Sequence, residues 1–287
     1  MYNSKKYCIF ALKNTMLRMC RIFRNLVFLL LIFSFGSCQR VVKAAQTAKV
    51  ADSCDRVDYN QLEIPRLIES RSQQLIEHVA YTVSFNADWN IPNWVAYSLT
   101  KEETVGETTR ASHFYPDPEI KHNPVITKDY SHSGFDRGHM APAADMKWSE
   151  QAMRESFYMT NICPQNQSLN RGDWNDLEEL ARDLARKYGE IFIACGPIVE
   201  EGCQVIGHDR KIVVPSAFYK VFLRRTATSW TSIGFVFPNQ AGNRPLMTYM
   251  MSVNEVETMT GIDFFFHLPD GVEEQVEANN ELIDWTV

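Results

Sequence analysis

From about residue 75 the chain alternates short apolar runs with clusters of breakers. Residues 78–85 and 94–99 are rich in β-branched and aromatic side chains, and turn formers fill 86–93 between them. This pattern predicts two strands joined by a loop. Residues 156–163 read as a buried strand ending at Pro164. The period then changes. Over 170–188, Trp174, Leu177, Ala181, Leu184 and Tyr188 share one side of a helix, while Asp176, Glu179, Arg182, Asp183 and Arg186 share the other. Gly189 suits the end of this helix as a left-handed cap. Strand-like runs follow at 191–195, 211–214, 218–223 and 232–237. Ser252 and Glu255 have capping-box spacing and open a short helix, and the acidic stretch from Val272 reads as helical. The fold class is α+β, with a central, largely antiparallel sheet flanked by helices.

The first part of the chain follows a different rule. Lys5, Lys6, Lys13, Arg18, Arg21 and Arg24 stand among no acidic residue, and a short apolar run then leads to Gly36, Ser37 and Cys38. The run is short for a membrane span and has the layout of a secretory signal. Small residues before a cysteine further resemble a lipoprotein cleavage site. The expected organisation is a signal peptide over 1–37, a lipid anchor at Cys38, a polar tether over 38–70 and one folded domain over 71–287. An ordinary cleaved signal is the simpler alternative.

Composition adds limits. An apolar fraction of 45% and a charged fraction of 22% are ordinary for a globular protein. The formal charge of −6 becomes −12 once the six leader cations are lost, so a partner carrying phosphates would need a local basic cleft. Lys121, Lys128, Arg171, Arg210 and Lys211 are candidates for such a cleft, although a solvated surface is the better reading for most of them. An exported chain meets an oxidising compartment. Cys54, Cys163, Cys195 and Cys203 could then pair, with Cys195–Cys203 as a local bridge, or stay as free thiols. None has zinc spacing.

The chemistry concentrates at Asp136-Arg137-Gly138-His139. An imidazole can take a proton from water near neutral pH, and a guanidinium matches phosphate geometry. Alone, the stretch fits a polar loop as well as a site. Asn170 falls on the apolar side of the predicted helix and Glu178 at that side's edge. Asn170 is either an N-cap or an oxygen ligand for a hard cation, with Glu178 holding the cation's waters.

Three stretches together resemble the DNA/RNA non-specific endonuclease family. They are Asp136-Arg137-Gly138-His139 with Met140-Ala141-Pro142, then Thr160-Asn161-Ile162-Cys163-Pro164-Gln165, then Leu169-Asn170-Arg171-Gly172-Asp173-Trp174 continuing to Leu177-Glu178. The resemblance implies a ββα-metal nuclease fold, two strands and a helix around one divalent ion. It implies His139 as general base, Asn170 as the direct ligand of Mg²⁺ (Mn²⁺ as substitute) and Glu178 as the holder of metal-bound water. Arg110 takes the place of the arginine that steadies the phosphate. Arg137, Asn161 and Arg171 are the further candidates for substrate contact or support.

The expected activity is endonucleolytic hydrolysis of DNA and RNA with little sequence specificity, leaving 5′-phosphate and 3′-hydroxyl ends. The expected setting is the cell envelope, with the membrane reached through Cys38 and a homodimer left open. Two alternatives stand beside it: a phosphodiesterase on short oligonucleotides, and a lipoprotein that captures nucleic acid without cleaving it.

Overall fold

The computed structural model describes residues 61–279 and Trp285. The leader, Cys38, Cys54 and the tether up to residue 60 lie outside the described residues. Among the described residues no helix is long and apolar enough to cross a membrane.

The described residues open with β1 (Arg66–Leu67), β2 (Gln74–Glu77), β3 (Thr82–Asn86) and β4 (Ile91–Thr100). After a long loop come β5 (Asp136–His139), α1 (Glu150–Ser156) and β6 (Ile162–Gln165). Two consecutive helices follow, α2 (Gln167–Arg171) and α3 (Asp173–Tyr188). The remainder is β7 (Glu190–Ile198), β8 (Val205–Ile206), β9 (Ile212–Val213), β10 (Ala217–Arg225), β11 (Trp230–Pro238), β12 (Met250–Met251), α4 (Val253–Thr260), β13 (Ile262–Asp263) and α5 (Asp270–Glu277).

Seven strands form one antiparallel sheet in the order β12-β11-β10-β7-β4-β3-β2. Successive side chains of a strand point to opposite faces, and the central strands use both. On β4, Val95 and Tyr97 join one core, while Trp94 and Ala96 join the other. On β10, Phe218 and Phe222 face the first core, while Tyr219, Val221 and Leu223 face the second. Helix α3 covers the first face with Trp174, Leu177, Ala181 and Leu184. Helices α4 and α5 cover the second through Val253, Val256 and Val276. A separate two-stranded ribbon, β5 with β6, lies on the α3 side.

Several predicted elements change shape. The loop predicted over 86–93 is a tight turn, because β3 and β4 pair through Asn86↔Ile91. The strand predicted at 156–163 begins only at Ile162, the residues before it being the end of α1 and a 3₁₀ turn. Pro164 does not stop that strand but pairs with Arg137 inside it, which a two-stranded ribbon tolerates because its outer edge needs no ladder donor. The tether was expected to run to residue 70, yet Leu62 is fully buried in the second core and β1 pairs with β13, so residues 61–70 belong to the folded unit. Of the predicted caps, the Ser252–Glu255 box is formed, while Gly189 ends its helix outside the left-handed helical region, at ψ −46°. Gly189 ends α3 at φ 94°, a value that residues with a Cβ rarely adopt. Ser252 and Glu255 make the reciprocal bonds of a capping box.

The single helix expected over 170–188 is two. Gly172 leaves helical geometry at φ −112°, ψ −114°, and α3 starts afresh at Asp173. Asn166, not Asn170, caps α2, its Oδ1 accepting from Ser168 N and Leu169 N. Asn170 is thus free of capping duty.

Candidate active site

The site is built on the β5–β6 ribbon and the two helices after it. In β5 the alternation sends Asp136 and Gly138 one way and Arg137 and His139 the other. Gly138 is required by packing: a Cβ there would lie 2.2 Å from Gln165 Oε1 on β6. That close approach leaves the Gln165 amide buried with neither polar atom bonded.

His139 ends β5 and is 8% exposed. Its ring is held between Phe157, at 4.8 Å edge-on, and Phe114, at 5.4 Å. Each of these rings carries a guanidinium. Arg110 lies 5.1 Å over Phe157, and Arg137 lies 4.8 Å over Phe114. Two cations therefore flank one imidazole, each on its own aromatic support. His139 Nε2 has no hydrogen-bond partner. Burial first, and then the Arg110 charge, push the imidazole down to about 3, so it is neutral and, without an anion beside it, only a weak base.

The backbone behind His139 is locked. Trp174 Nε1 on α3 donates to its carbonyl oxygen at 3.3 Å. Asn161 brackets the next residues: its Oδ1 accepts from Ala141 N at 2.9 Å and its Nδ2 donates to Ala141 O and Ser156 O, both at 2.8 Å. Asn161 is fully buried. With its amide spent on backbone it cannot reach a substrate, and its place among the substrate contacts is corrected to that of a clamp.

Asn170 Nδ2 donates to Asp136 Oδ2 at 3.0 Å. The same carboxylate receives Arg171 as a two-pronged pair, Nε at 3.0 Å and an Nη at 3.1 Å. Arg171 is consequently engaged within the protein, although its side chain is largely exposed. Asp136 orients both residues, a role the sequence motif contained but did not assign.

Glu178 is four residues beyond Trp174 and so one turn along the same side of α3. Burial raises its carboxyl to about 7, against the pull of Lys220 and Arg182. Beneath it lies a buried charge set that sequence reasoning missed. Asp145 accepts from Arg182 at 2.8 Å and from the Tyr97 hydroxyl at 3.0 Å. Lys220 is fully buried on β10, its ammonium 4.6 Å over the Trp174 ring and 3.4 Å from Met140 O. Arg182 was expected on the solvated side of the helix, but its side chain is only 12% exposed because it turns in to Asp145. One signal was available for Lys220, a charged residue in the middle of an otherwise apolar strand.

The remaining candidates lie outside this arrangement. Lys121 and Arg210 bond nearby backbone carbonyls, and Lys128 and Lys211 are exposed. Cys163 and Cys195 are buried free thiols and Cys203 is free as well, so the local Cys195–Cys203 bridge is not made. Cys195 Sγ instead lies 3.2 Å from Met140 O.

The donor set fits a hard cation. Among the described residues, no donor reaches the Glu178 carboxylate or the Asn170 amide oxygen, because Asp136 has taken the amide nitrogen. No group of three or more His, Cys, Asp or Glu among the described residues could chelate a metal. An amide oxygen and a carboxylate, both without a donor, suit an ion that keeps most of its water.

Known proteins agree with this architecture. Mitochondrial nuclease EXOG of Mus musculus is 33% identical over 77% of this chain and 65% of its own length. The Homo sapiens EXOG is 35% identical over 66% of this chain and 56% of its own. The chain thus spans less than two thirds of these two relatives. Mitochondrial endonuclease G of Bos taurus is 31% identical over 67% of this chain and 69% of its own. The solved structure of an EndoG/EndoGI complex, described as the mechanism of EndoG inhibition, superposes with a TM-score of 0.65 at 29% identity, covering 70% of this chain and 89% of that one. The fold is therefore that of the ββα-metal nucleases. Residues 58–271, which carry the ribbon, its histidine and both helices, match the DNA/RNA non-specific endonuclease family, and the chain belongs to that family.

Proposed function

We propose that the protein is a divalent-metal-dependent endonuclease that hydrolyses phosphodiester bonds of DNA and RNA, with Mg²⁺ as the cation and Mn²⁺ as a substitute. The observation that carries this is the unpaired, buried Nε2 of His139 between two guanidiniums. A neutral imidazole with a free nitrogen is a general base. Cations on either side of it are where a phosphate would bind.

His139 takes a proton from the attacking water. Its low basicity rises as the phosphodiester enters, because an anion nearby favours the protonated ring. Arg110 and Arg137 donate to the phosphoryl oxygens, where charge grows in the transition state. Asn170 would hold the cation through its amide oxygen, with Glu178 fixing water around it. The cation, when bound, neutralises charge on the phosphate and stabilises the departing oxygen. The named groups address phosphate alone, which suits both sugars and all bases. Products with 5′-phosphate and 3′-hydroxyl ends complete the proposal.

The N-terminal pattern supports export and attachment to the cell envelope through Cys38. A plasmid-nicking and RNA-cleavage assay, with Mg²⁺ and with excess chelator, tests the activity. Cleavage that stops with chelator and returns with Mg²⁺ is expected. Binding without cleavage would mean a capture protein, and hydrolysis of short oligonucleotides alone a phosphodiesterase.

A further inference from the structure

A surface groove of about 510 Å³ opens beside Arg110. Thr108, Thr109, Ala111, Tyr115, Met153 and Arg154 line it. Arg110 stands in the sequence between Thr109 and Ala111. Met153 packs against Phe157 and Ala143, and this cluster is covered by Ala111, Phe114 and Tyr115. Phe157 is the ring that holds His139 and supports Arg110. The groove and the reacting centre thus share a floor.

Within the groove the Arg154 guanidinium sits 4.7 Å over the Tyr115 ring. Arg154 is exposed and forms no salt bridge among the described residues. Glu107 and Glu150 also line the groove. Against one arginine they leave it with a net negative charge, so a phosphate would be repelled. A neutral, planar group would not be. It could stack on the outer face of the guanidinium and offer its N–H edge to a carboxylate.

We propose that this groove is a base-binding subsite, in which the base next to the scissile phosphodiester stacks on Arg154, backed by Tyr115. The assignment rests on the endonuclease reading above. It places phosphate recognition at Arg110 and Arg137 and base contact one step away. Every base has a π-face, so such a platform strengthens binding without selecting sequence.

The test uses the full chain with Mg²⁺ and a short oligonucleotide containing one cleavable phosphodiester. Two further copies carry an abasic tetrahydrofuran on one or the other side of that linkage. One abasic copy is expected to show a KM raised about tenfold in the wild type, the scale of a lost stack. In Arg154→Glu the KM values of the intact and abasic copies should converge. Equal KM values for all three copies in the wild type would overturn the subsite, as would an undiminished ratio in folded Arg154→Glu. Should Arg154→Glu fail to fold, Arg154→Lys removes the plane but keeps the charge, and the same convergence is required of it. Failure of the wild type to cleave even the intact copy is a separate result, which would overturn the endonuclease reading and the subsite with it.

Discussion

Asp136 Oδ2 accepts the amide N–H of Asn170 at 3.0 Å, and this one bond decides which end of the amide faces the site. With the nitrogen held, the oxygen is left for a cation. Without the carboxylate the amide can turn over and present N–H groups instead. Asp136→Ala should therefore weaken Mn²⁺ binding, read by water-proton relaxation, and lower cleavage about 10²-fold. Asn170→Ala should do the same with little change in the melt. Unaltered Mn²⁺ binding in both variants would remove this pair from the metal site.

His139→Ala should lower the hydrolysis rate by at least about 10²-fold, the low end for a lost general base. Circular dichroism should show the fold retained, since Phe114 and Phe157 also pack on each other at 5.0 Å. Near-normal turnover by the folded variant would exclude His139 as the base.

Arg182→Met leaves Asp145 buried without its ion pair, and stability should fall by about 3 kcal/mol, as for a broken buried pair. Adding Asp145→Asn should restore part of the loss, because the stranded charge is then gone. Urea melts of the single and double variants measure both. A double variant less stable than Arg182→Met would show that the charge is not the cause.

A second acidic set, far from the chemistry, gives the protein a pH-dependent stability. Glu277 is buried, with Oε1 unpaired, and burial together with Glu257 and Glu273 pushes it up to about 9. Burial also raises Glu257 and Glu273 to about 7. These groups bind protons more tightly folded than unfolded. Their stabilising effect is full below the ordinary carboxylate range and is lost as pH climbs through 7 to 9. Tm should fall across that window, and Glu277→Gln should flatten the upper part. A Tm that rises from pH 7 to 9 in the wild type would contradict the assignment.

Mass spectrometry of the mature protein should find a diacylglyceryl cysteine at Cys38. An unmodified terminus elsewhere would leave a plain secreted enzyme.

Three stretches taken together made His139, Arg137 and Asn170 legible as candidates through their resemblance to a family, since residues 136–139 alone fit a polar loop and Asn170 alone fits an N-cap. A supporting role for Asn161 was legible from the resemblance, but the backbone groups it clamps were not. Its partners Ala141 and Ser156 are set by the path of the chain, and nothing in the amide itself says whether it faces water or backbone. Arg182 and Lys220 were hidden for a related reason. Arg182 meets Asp145 across 37 residues, and Lys220 meets Met140 across 80, distances that only the sheet closes. The periodicity of 170–188 was read as one helix because Gly172 breaks the axis without breaking the apolar pattern. Leu62 was lost in a polar neighbourhood, where one buried leucine leaves no period.

Two cations, Lys220 and Arg182, and two acids, Asp145 and Glu178, act on one another inside the protein. With both acids ionised the charges balance two against two, so loss of one cation leaves an acid without compensation. Drift at these four positions is therefore expected to occur in opposite-signed pairs or not at all. The quartet would descend through a lineage as one inherited unit, even though its members come from three separate stretches of the chain.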